Sequence, residues 1–131
     1  MPQLCERRLT CRREGNALIL TLAGPEIHGE AYCAALLREL LGAIAANARP
    51  PRVVLHLGEV SFITSLGLAV LLRFRRRLLR RGGRLVLCAP APRVADLLEV
   101  THLTGDDRSS RYPFEVAPDE ATALSLLRSR P

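Results

Sequence analysis

Residues Arg52 to Phe74 read RVVLHLGEVSFITSLGLAVLLRF, and this stretch decides the fold. The apolar run Val53 to Leu57 lies between a proline pair and a glycine, which is typical of a short buried strand with neighbours on both sides. Downstream, apolar residues recur at the spacing of an amphipathic helix. They are Val70, Leu71, Phe74 and Leu78. The chain is therefore predicted to pass from a central strand through a short turn into a helix.

Two hydroxyl residues, Thr64 and Ser65, stand where this helix begins. One interpretation is capping, because a Ser or Thr oxygen accepts a hydrogen bond from an unpaired backbone N–H at a helix start. The other is that one hydroxyl accepts a phosphate. A helix N-terminus tolerates an anion, and a phosphate adds nearly two negative charges. The spacing of the residues leaves both interpretations open.

The rest of the chain alternates strands and helices. Strands are predicted at Leu4 to Arg12, Ala17 to Ala23, Arg84 to Cys88 and Phe114 to Val116. Helices are predicted at His28 to Ala46, from Thr64 to a stop at Gly82-Gly83, at Pro92 to Thr101, and from Pro118 onward. Glu14-Gly15-Asn16 is predicted to be a turn, and Thr104 to Tyr112 a loop.

This alternation favours crossover units, so the predicted class is α/β, with a mixed sheet of about four to five strands. An N-terminal hairpin supplies the antiparallel part, and about four helices pack on the sheet. At 131 residues the chain is expected to form one domain. Functional sites in such sheets gather at the carboxyl ends of strands. We expect Gly24-Pro25 and Ala89-Pro90-Ala91 to flank Ser65 at that edge.

Several function classes lack their signatures. No apolar run approaches the ~20 residues that span a bilayer, and the first residues lack an apolar leader, so we expect a cytoplasmic protein without membrane insertion. The four cysteines form no CxxC pair and lie near no histidine at ligand spacing, which predicts free thiols and no metal or cofactor. No phosphate loop, GxSxG or acid–base pair occurs, so no enzyme is predicted. His56 is interpreted as a hydrogen-bonded histidine in or near the core.

The net charge is +6, all basic residues are arginines, and six of the 19 lie between Arg73 and Arg81. Those at Arg73, Arg76, Arg77 and Arg80 share a helical stripe opposite the apolar one. A solvated helix face is the favoured interpretation. An acidic protein partner is the alternative, since a dense arginine patch suits carboxylates. Nucleic acid is less favoured, because the chain has only two Tyr and three Phe that could serve for stacking.

Three stretches together resemble the STAS domain, the module of sulphate transporters and anti-sigma factor antagonists. They are VVLHLGEVSFITSLGLAVL, GGRLVLCAPAPRVADLLEVTHL and PDEATALSLL. The resemblance runs from about Leu4 to Leu127 and implies the STAS fold. The family pattern Asp-Ser-Ser/Ala-Gly-Leu appears here with Thr64 for the Asp and Leu66 for the second small residue. His102 replaces the glycine of a later Thr-Gly-Leu.

The resemblance implies a regulatory antagonist that binds an anti-sigma factor acting as a serine kinase. Phosphorylation at Ser65, with Thr64 as second choice, would release that partner, and a serine phosphatase would restore binding. The implied partner contacts are Phe62, Ile63, Thr64, Ser65, Leu66 and Gly67. One alternative is a STAS adaptor of a lipid-transport ATPase or of a stress-signalling assembly without phosphorylation. Another is a basic nucleic-acid-binding protein that uses Arg73 to Arg84. The oligomeric state stays open.

Overall fold

The computed structural model describes residues 8–45, 51–101 and 114–129. Among these residues seven strands form a five-stranded sheet, in the order β1-β2-β4-β6-β7, and a separate pair, β3-β5. The strands are β1 (Leu9–Glu14), β2 (Ala17–Leu22), β3 (Glu26–Ile27), β4 (Arg52–His56), β5 (Phe62–Ile63), β6 (Arg84–Cys88) and β7 (Glu115–Ala117). The helices are α1 (Glu30–Ala45), α2 (Ser65–Arg80), α3 (Pro92–Val100) and α4 (Glu120–Ser129).

The main sheet is mixed, as predicted. Strand β4 lies at its centre and pairs in parallel with β2 and β6, while β7 pairs in parallel with β6. Only β1 runs antiparallel, as the first strand of a hairpin with β2. In the register, Thr21 lies opposite His56, and His56 opposite Cys88. The carboxyl ends of the three central strands therefore meet at one edge of the sheet.

The two faces of the sheet bury different helices. One core cluster joins Leu20, Leu55 and Leu87 to the buried residues of α1, α2 and α3. The other joins Ile19, Val54 and Val86 to Ala123 and Leu127 of α4. Because alternate residues of each strand point to opposite faces, strands covered on both sides read as continuous apolar runs. That is why the central strands were recognisable in the sequence.

Two arginines hold the end of α4 on the sheet. Arg52 donates to the carbonyl oxygen of Leu127, and Arg84 donates to that of Leu126 at 2.9 Å. Arg84 also binds Glu115 through two hydrogen bonds, of 2.7 and 2.9 Å. The last carbonyls of a helix have no partner within the helix and carry partial negative charge, so cations there are favourable.

Some predicted boundaries are wrong. Within the described residues the first strand occupies Leu9–Glu14, not Leu4 to Arg12, since backbone pairing with β2 continues through its charged residues. Helix α1 begins at Glu30 instead of His28, because Gly29 has φ +87°, outside the helical region.

The boundaries of the last helix and the last strand also differ from the prediction. The final helix begins at Glu120 rather than Pro118, since Asp119 acts as its cap and accepts a hydrogen bond from the backbone N–H of Thr122 at 2.7 Å. Strand β7 lies one residue later than predicted. The predictions for Cys5, Ala46, His102 and Thr104 to Tyr112 concern residues outside the described ranges.

Two cysteines serve as small core residues, as predicted. Cys33 and Cys88 are buried, whereas Cys11 is exposed on β1. Burial raises the pKa of both buried thiols. For Cys88 the pKa rises to about 11, first through burial and then through the negative charges of Glu120 and Asp119.

Alkylation should therefore separate the cysteines. At pH 8 in iodoacetamide we expect Cys11 to be modified first, because it is exposed. With a pKa of about 11, Cys88 is a thiolate in only about one molecule in a thousand at that pH. Peptide mapping by mass spectrometry should find Cys33 and Cys88 unmodified until denaturant is added. Modification of Cys88 as fast as Cys11 would contradict its placement in the core.

Candidate functional site: the turn between β5 and α2

The site is built on the small β3-β5 pair, which the sequence did not reveal. These strands pair in parallel, with Glu26 opposite Phe62 and Ile27 opposite Ile63. The carbonyl oxygen of Pro25 accepts hydrogen bonds from the backbone N–H groups of Ser61, at 2.8 Å, and Phe62, at 3.0 Å. The Gly24-Pro25 turn is therefore hydrogen-bonded directly to the segment that leads into α2. This agrees with the prediction that this turn lies on one side of Ser65.

Thr64 is the N-cap of α2. Its backbone is extended, and its Oγ1 accepts a hydrogen bond from the N–H of Gly67 at 3.2 Å. The same hydroxyl donates to the carbonyl oxygen of Ile27, also at 3.2 Å. The capping interpretation is thus confirmed for Thr64. Its half-buried hydroxyl already uses its one proton and one of its lone pairs.

Ser65 is the first residue of α2, and its side chain is exposed. Its hydroxyl forms no hydrogen bond with any residue in the described ranges. The first turn of α2 contains no acidic residue, so the partial positive charge of the helix start is not neutralised locally. Of the two hydroxyls considered from the sequence, Ser65 is thus the one that a modifying enzyme or a partner can reach without breaking an existing bond.

Two large apolar side chains stand beside Ser65 in the sequence and face solvent. Phe62 is 46% exposed and Leu66 is 42% exposed. Exposed large apolar residues close together are a common feature of protein-binding surfaces. Ile63 and Gly67, which were predicted to share this surface, are instead buried beneath it, because Ile63 points into the core and Gly67 packs on β3. Of the six residues predicted to contact a partner, Phe62, Ser65 and Leu66 are exposed and Thr64 is half-buried.

Gly67 allows α2 to approach the small sheet closely. A Cβ atom on Gly67 would lie 2.8 Å from the Cγ2 atoms of both Ile27 and Ile63, and 3.0 Å from the carbonyl oxygen of Ile27. Real Cβ atoms do not make carbon contacts that short. Any larger residue would push the start of α2 away from β3 and lengthen the hydrogen bonds of Thr64.

Replacing this glycine should therefore weaken the fold. For Gly67→Ala we expect a loss of about 1–3 kcal/mol in the free energy of unfolding, through overpacking, despite the better helix propensity of alanine. Gly42→Ala in α1 is the matched control, since a Cβ there meets nothing within 4 Å. The control should gain about 0.5–1 kcal/mol from helix propensity. Urea denaturation of both variants measures the difference, and equal effects would contradict the close approach.

Other polar side chains in the described part of this edge include His56, His28 and Glu26. His56 is half-buried and its Nδ1 accepts a hydrogen bond from the N–H of Gly58 at 3.1 Å, in line with its interpretation as a hydrogen-bonded histidine near the core. His28 and Glu26 are exposed, with Nε2 and Oε1 3.6 Å apart. In the described part of the chain no three His, Cys, Asp or Glu side chains come close enough to hold a metal ion.

Comparison with known proteins identifies the family. The STAS domain family matches residues 8–111. BtrV of Bordetella bronchiseptica, a protein named as an anti-sigma factor antagonist, is 34% identical over 94 residues, which are 72% of this chain and 78% of BtrV. The chain belongs to the STAS domain family.

Solved structures share the fold. Bacillus SpoIIAA, an anti-sigma factor antagonist, superposes in its unphosphorylated form with a TM-score of 0.68 and 20% identity, over 94% of this chain and 98% of SpoIIAA. The phosphorylated form of SpoIIAA superposes with a TM-score of 0.62, also at 20% identity, over 93% of this chain and 99% of SpoIIAA. The murine Solute Carrier 26 family member A9 anion transporter superposes with a TM-score of 0.71 and 15% identity. The match covers 88% of this chain but only 18% of the transporter.

In the described ranges no helix of this chain has the length and apolar character needed to cross a bilayer.

Proposed function

We propose that this STAS domain is an anti-sigma factor antagonist. In this proposal its partner is an anti-sigma factor with serine kinase activity, which docks on the turn that carries Ser65 and phosphorylates that serine. A serine phosphatase reverses the modification. The observation that carries the proposal is the exposed hydroxyl of Ser65 at the start of α2, which bonds to none of the described residues and lies close in sequence to the exposed side chains of Phe62 and Leu66.

The physical basis of the switch is a change of charge on an apolar surface. Unmodified, the turn presents a small neutral hydroxyl beside two apolar side chains, and a partner can cover all three at little cost. A phosphate brings nearly two negative charges, which must lose water if the same partner is to stay bound. In the free protein the start of α2 stabilises that phosphate by about 0.3–1 kcal/mol. Both effects favour dissociation after modification.

The departure from the family pattern at Thr64 is compatible with this role. Where the family has an aspartate, Thr64 provides the capping oxygen and binds both Gly67 and Ile27. The helix start is therefore capped without a carboxylate beside Ser65. The absence of an acidic residue in this turn leaves the phosphate as the dominant negative charge at the helix start.

The names of the relatives support the same proposed function. BtrV and SpoIIAA are both named as anti-sigma factor antagonists, and SpoIIAA has been solved with and without its phosphate. We infer that this protein likewise acts by binding in the cytoplasm and not as an enzyme. A STAS adaptor without phosphorylation would have no need for an unpaired hydroxyl at this position, so the switched antagonist is the better supported of the two.

Substitution of Ser65 tests the proposal. The protein is used as bait for a lysate of its own organism, captured proteins are identified by mass spectrometry, and the affinity of the purified pair is measured by calorimetry. Ser65→Ala should keep the partner, while Ser65→Asp should weaken binding by about tenfold or more, since it adds a charge to the contact. Ser125→Asp, on the exposed side of α4, is the matched control and should bind like the wild type.

The identity of the partner and its chemistry complete the test. The captured protein should transfer phosphate from ATP to Ser65, located by peptide mapping, and Ser65→Ala should abolish that signal. Equal capture by all four proteins would show that the turn is not the docking site. Capture of an ATPase subunit without transfer of phosphate to Ser65 or Thr64 would favour the adaptor.

A further inference from the structure

A groove with an apolar floor and a basic rim lies along α2, outside the Ser65 turn. It measures about 430 Å³ and is lined by Leu72, Arg75, Arg76, Leu79 and Arg80. Leu72 is half-buried against the core, whereas Leu79 is 44% exposed. The groove therefore combines an exposed apolar side chain with three guanidinium groups.

The arginines of this groove have no partner among the described residues. Arg75, Arg76 and Arg80 form no hydrogen bond or ion pair with any residue in the described ranges. Some other arginines do form ion pairs: Arg8 lies 2.8 Å from Glu39, and Arg12 lies 2.8 Å from Glu120. Within the described part of the chain, three guanidinium groups of the groove are therefore available to an outside ligand. Arginine suits carboxylates in particular, because its planar group offers two parallel hydrogen bonds.

Helix geometry places the two leucines in one line. Leu79 follows Leu72 by seven residues, which is about 20° short of two full turns and about 10 Å along the helix. Arg75 and Arg76 lie on either side of this line, at about 60° and 40° from Leu72 round α2. Arg73 and Arg77 lie further from it, at about 100° and 140° from Leu72 on the side of Arg76. They are exposed and also unpaired among the described residues.

We propose that this groove is a second docking surface, which binds an acidic amphipathic segment of a protein partner. Apolar side chains of the segment, seven residues apart, contact Leu72 and Leu79, and its carboxylates bind Arg75, Arg76 and Arg80. This is the helix-in-groove mode, in which apolar anchors set the register and flanking charges select the partner. It does not depend on the switch at Ser65.

An acidic peptide fits the groove better than nucleic acid does. A phosphate backbone would engage Arg73 and Arg77 as readily as the arginines of the groove and would leave Leu79 without a contact. Binding of single strands also relies on aromatic side chains for stacking, and the lining of the groove contains none.

A designed peptide provides the test. The probe is a fluorescein-labelled helical 18-residue peptide that carries Leu at every seventh position and Glu on both sides, compared by fluorescence anisotropy with a scrambled peptide of the same composition. The intact protein should bind the patterned peptide about tenfold more tightly than the scrambled one. Arg75→Gln/Arg76→Gln and Leu79→Ser should each weaken binding of the patterned peptide by about tenfold. Circular dichroism confirms that each variant is folded.

The matched control removes equal charge from arginines that lie further from Leu72 and Leu79. Arg73→Gln/Arg77→Gln should change the affinity by less than about threefold at physiological salt, where exposed charges are screened within about 8 Å. Ser65→Asp should also change the affinity for the patterned peptide by less than about threefold. Failure of the groove proposal can therefore be distinguished from failure of the proposed switch at Ser65. Equal losses in the two double variants, no preference for the patterned peptide, or tighter binding of duplex DNA or anionic phospholipid vesicles would each overturn the proposal.

Discussion

The contact between the first turn of α2 and the β3-β5 pair determines the geometry of the whole site. Since Gly67 has no side chain, the helix can approach until its backbone nearly touches Ile27 and Ile63. At that distance Thr64 reaches the carbonyl oxygen of Ile27 and the N–H of Gly67 with one hydroxyl. Thr64 therefore faces inward with both hydrogen bonds made, while the side chain of Ser65, the next residue, is exposed. The close approach that Gly67 permits accompanies this difference between two neighbouring hydroxyls.

The sequence was sufficient for the central strand, its helix and the cap position, because these depend on strong local patterns. Val53, Val54 and Leu55 form an unbroken apolar run, and Leu71, Phe74 and Leu78 repeat at helical spacing. Strands β3 and β5 contain two residues each, which is too short for any alternation to appear. Ile27 and Ile63 are also 36 positions apart, so nothing local indicated that they pair or that Gly67 packs on both. The burial of Ile63 and Gly67 could not be predicted for the same reason.

Arginine performs two distinct tasks in this chain, and composition alone does not separate them. Arg52 and Arg84 bind the last carbonyls of α4, where they compensate groups that the helix itself leaves unpaired. Arg75, Arg76 and Arg80 have no such partners in the described ranges and remain available. The difference lies in location: an arginine at the amino end of a central strand meets the end of a helix, whereas one on the outer side of α2 meets solvent.

The dependence of the second sheet face on α4 has a consequence for biosynthesis. Ile19, Val54 and Val86 are covered by that helix, which is the last of the described elements to leave the ribosome. While the nascent chain is still being extended, the first three helices can already pack on their face, but the opposite face stays uncovered. Exposed strands of this kind recruit chaperones and aggregate readily. Translational pausing just before α4 would therefore be more harmful to the yield of this protein than pausing after it.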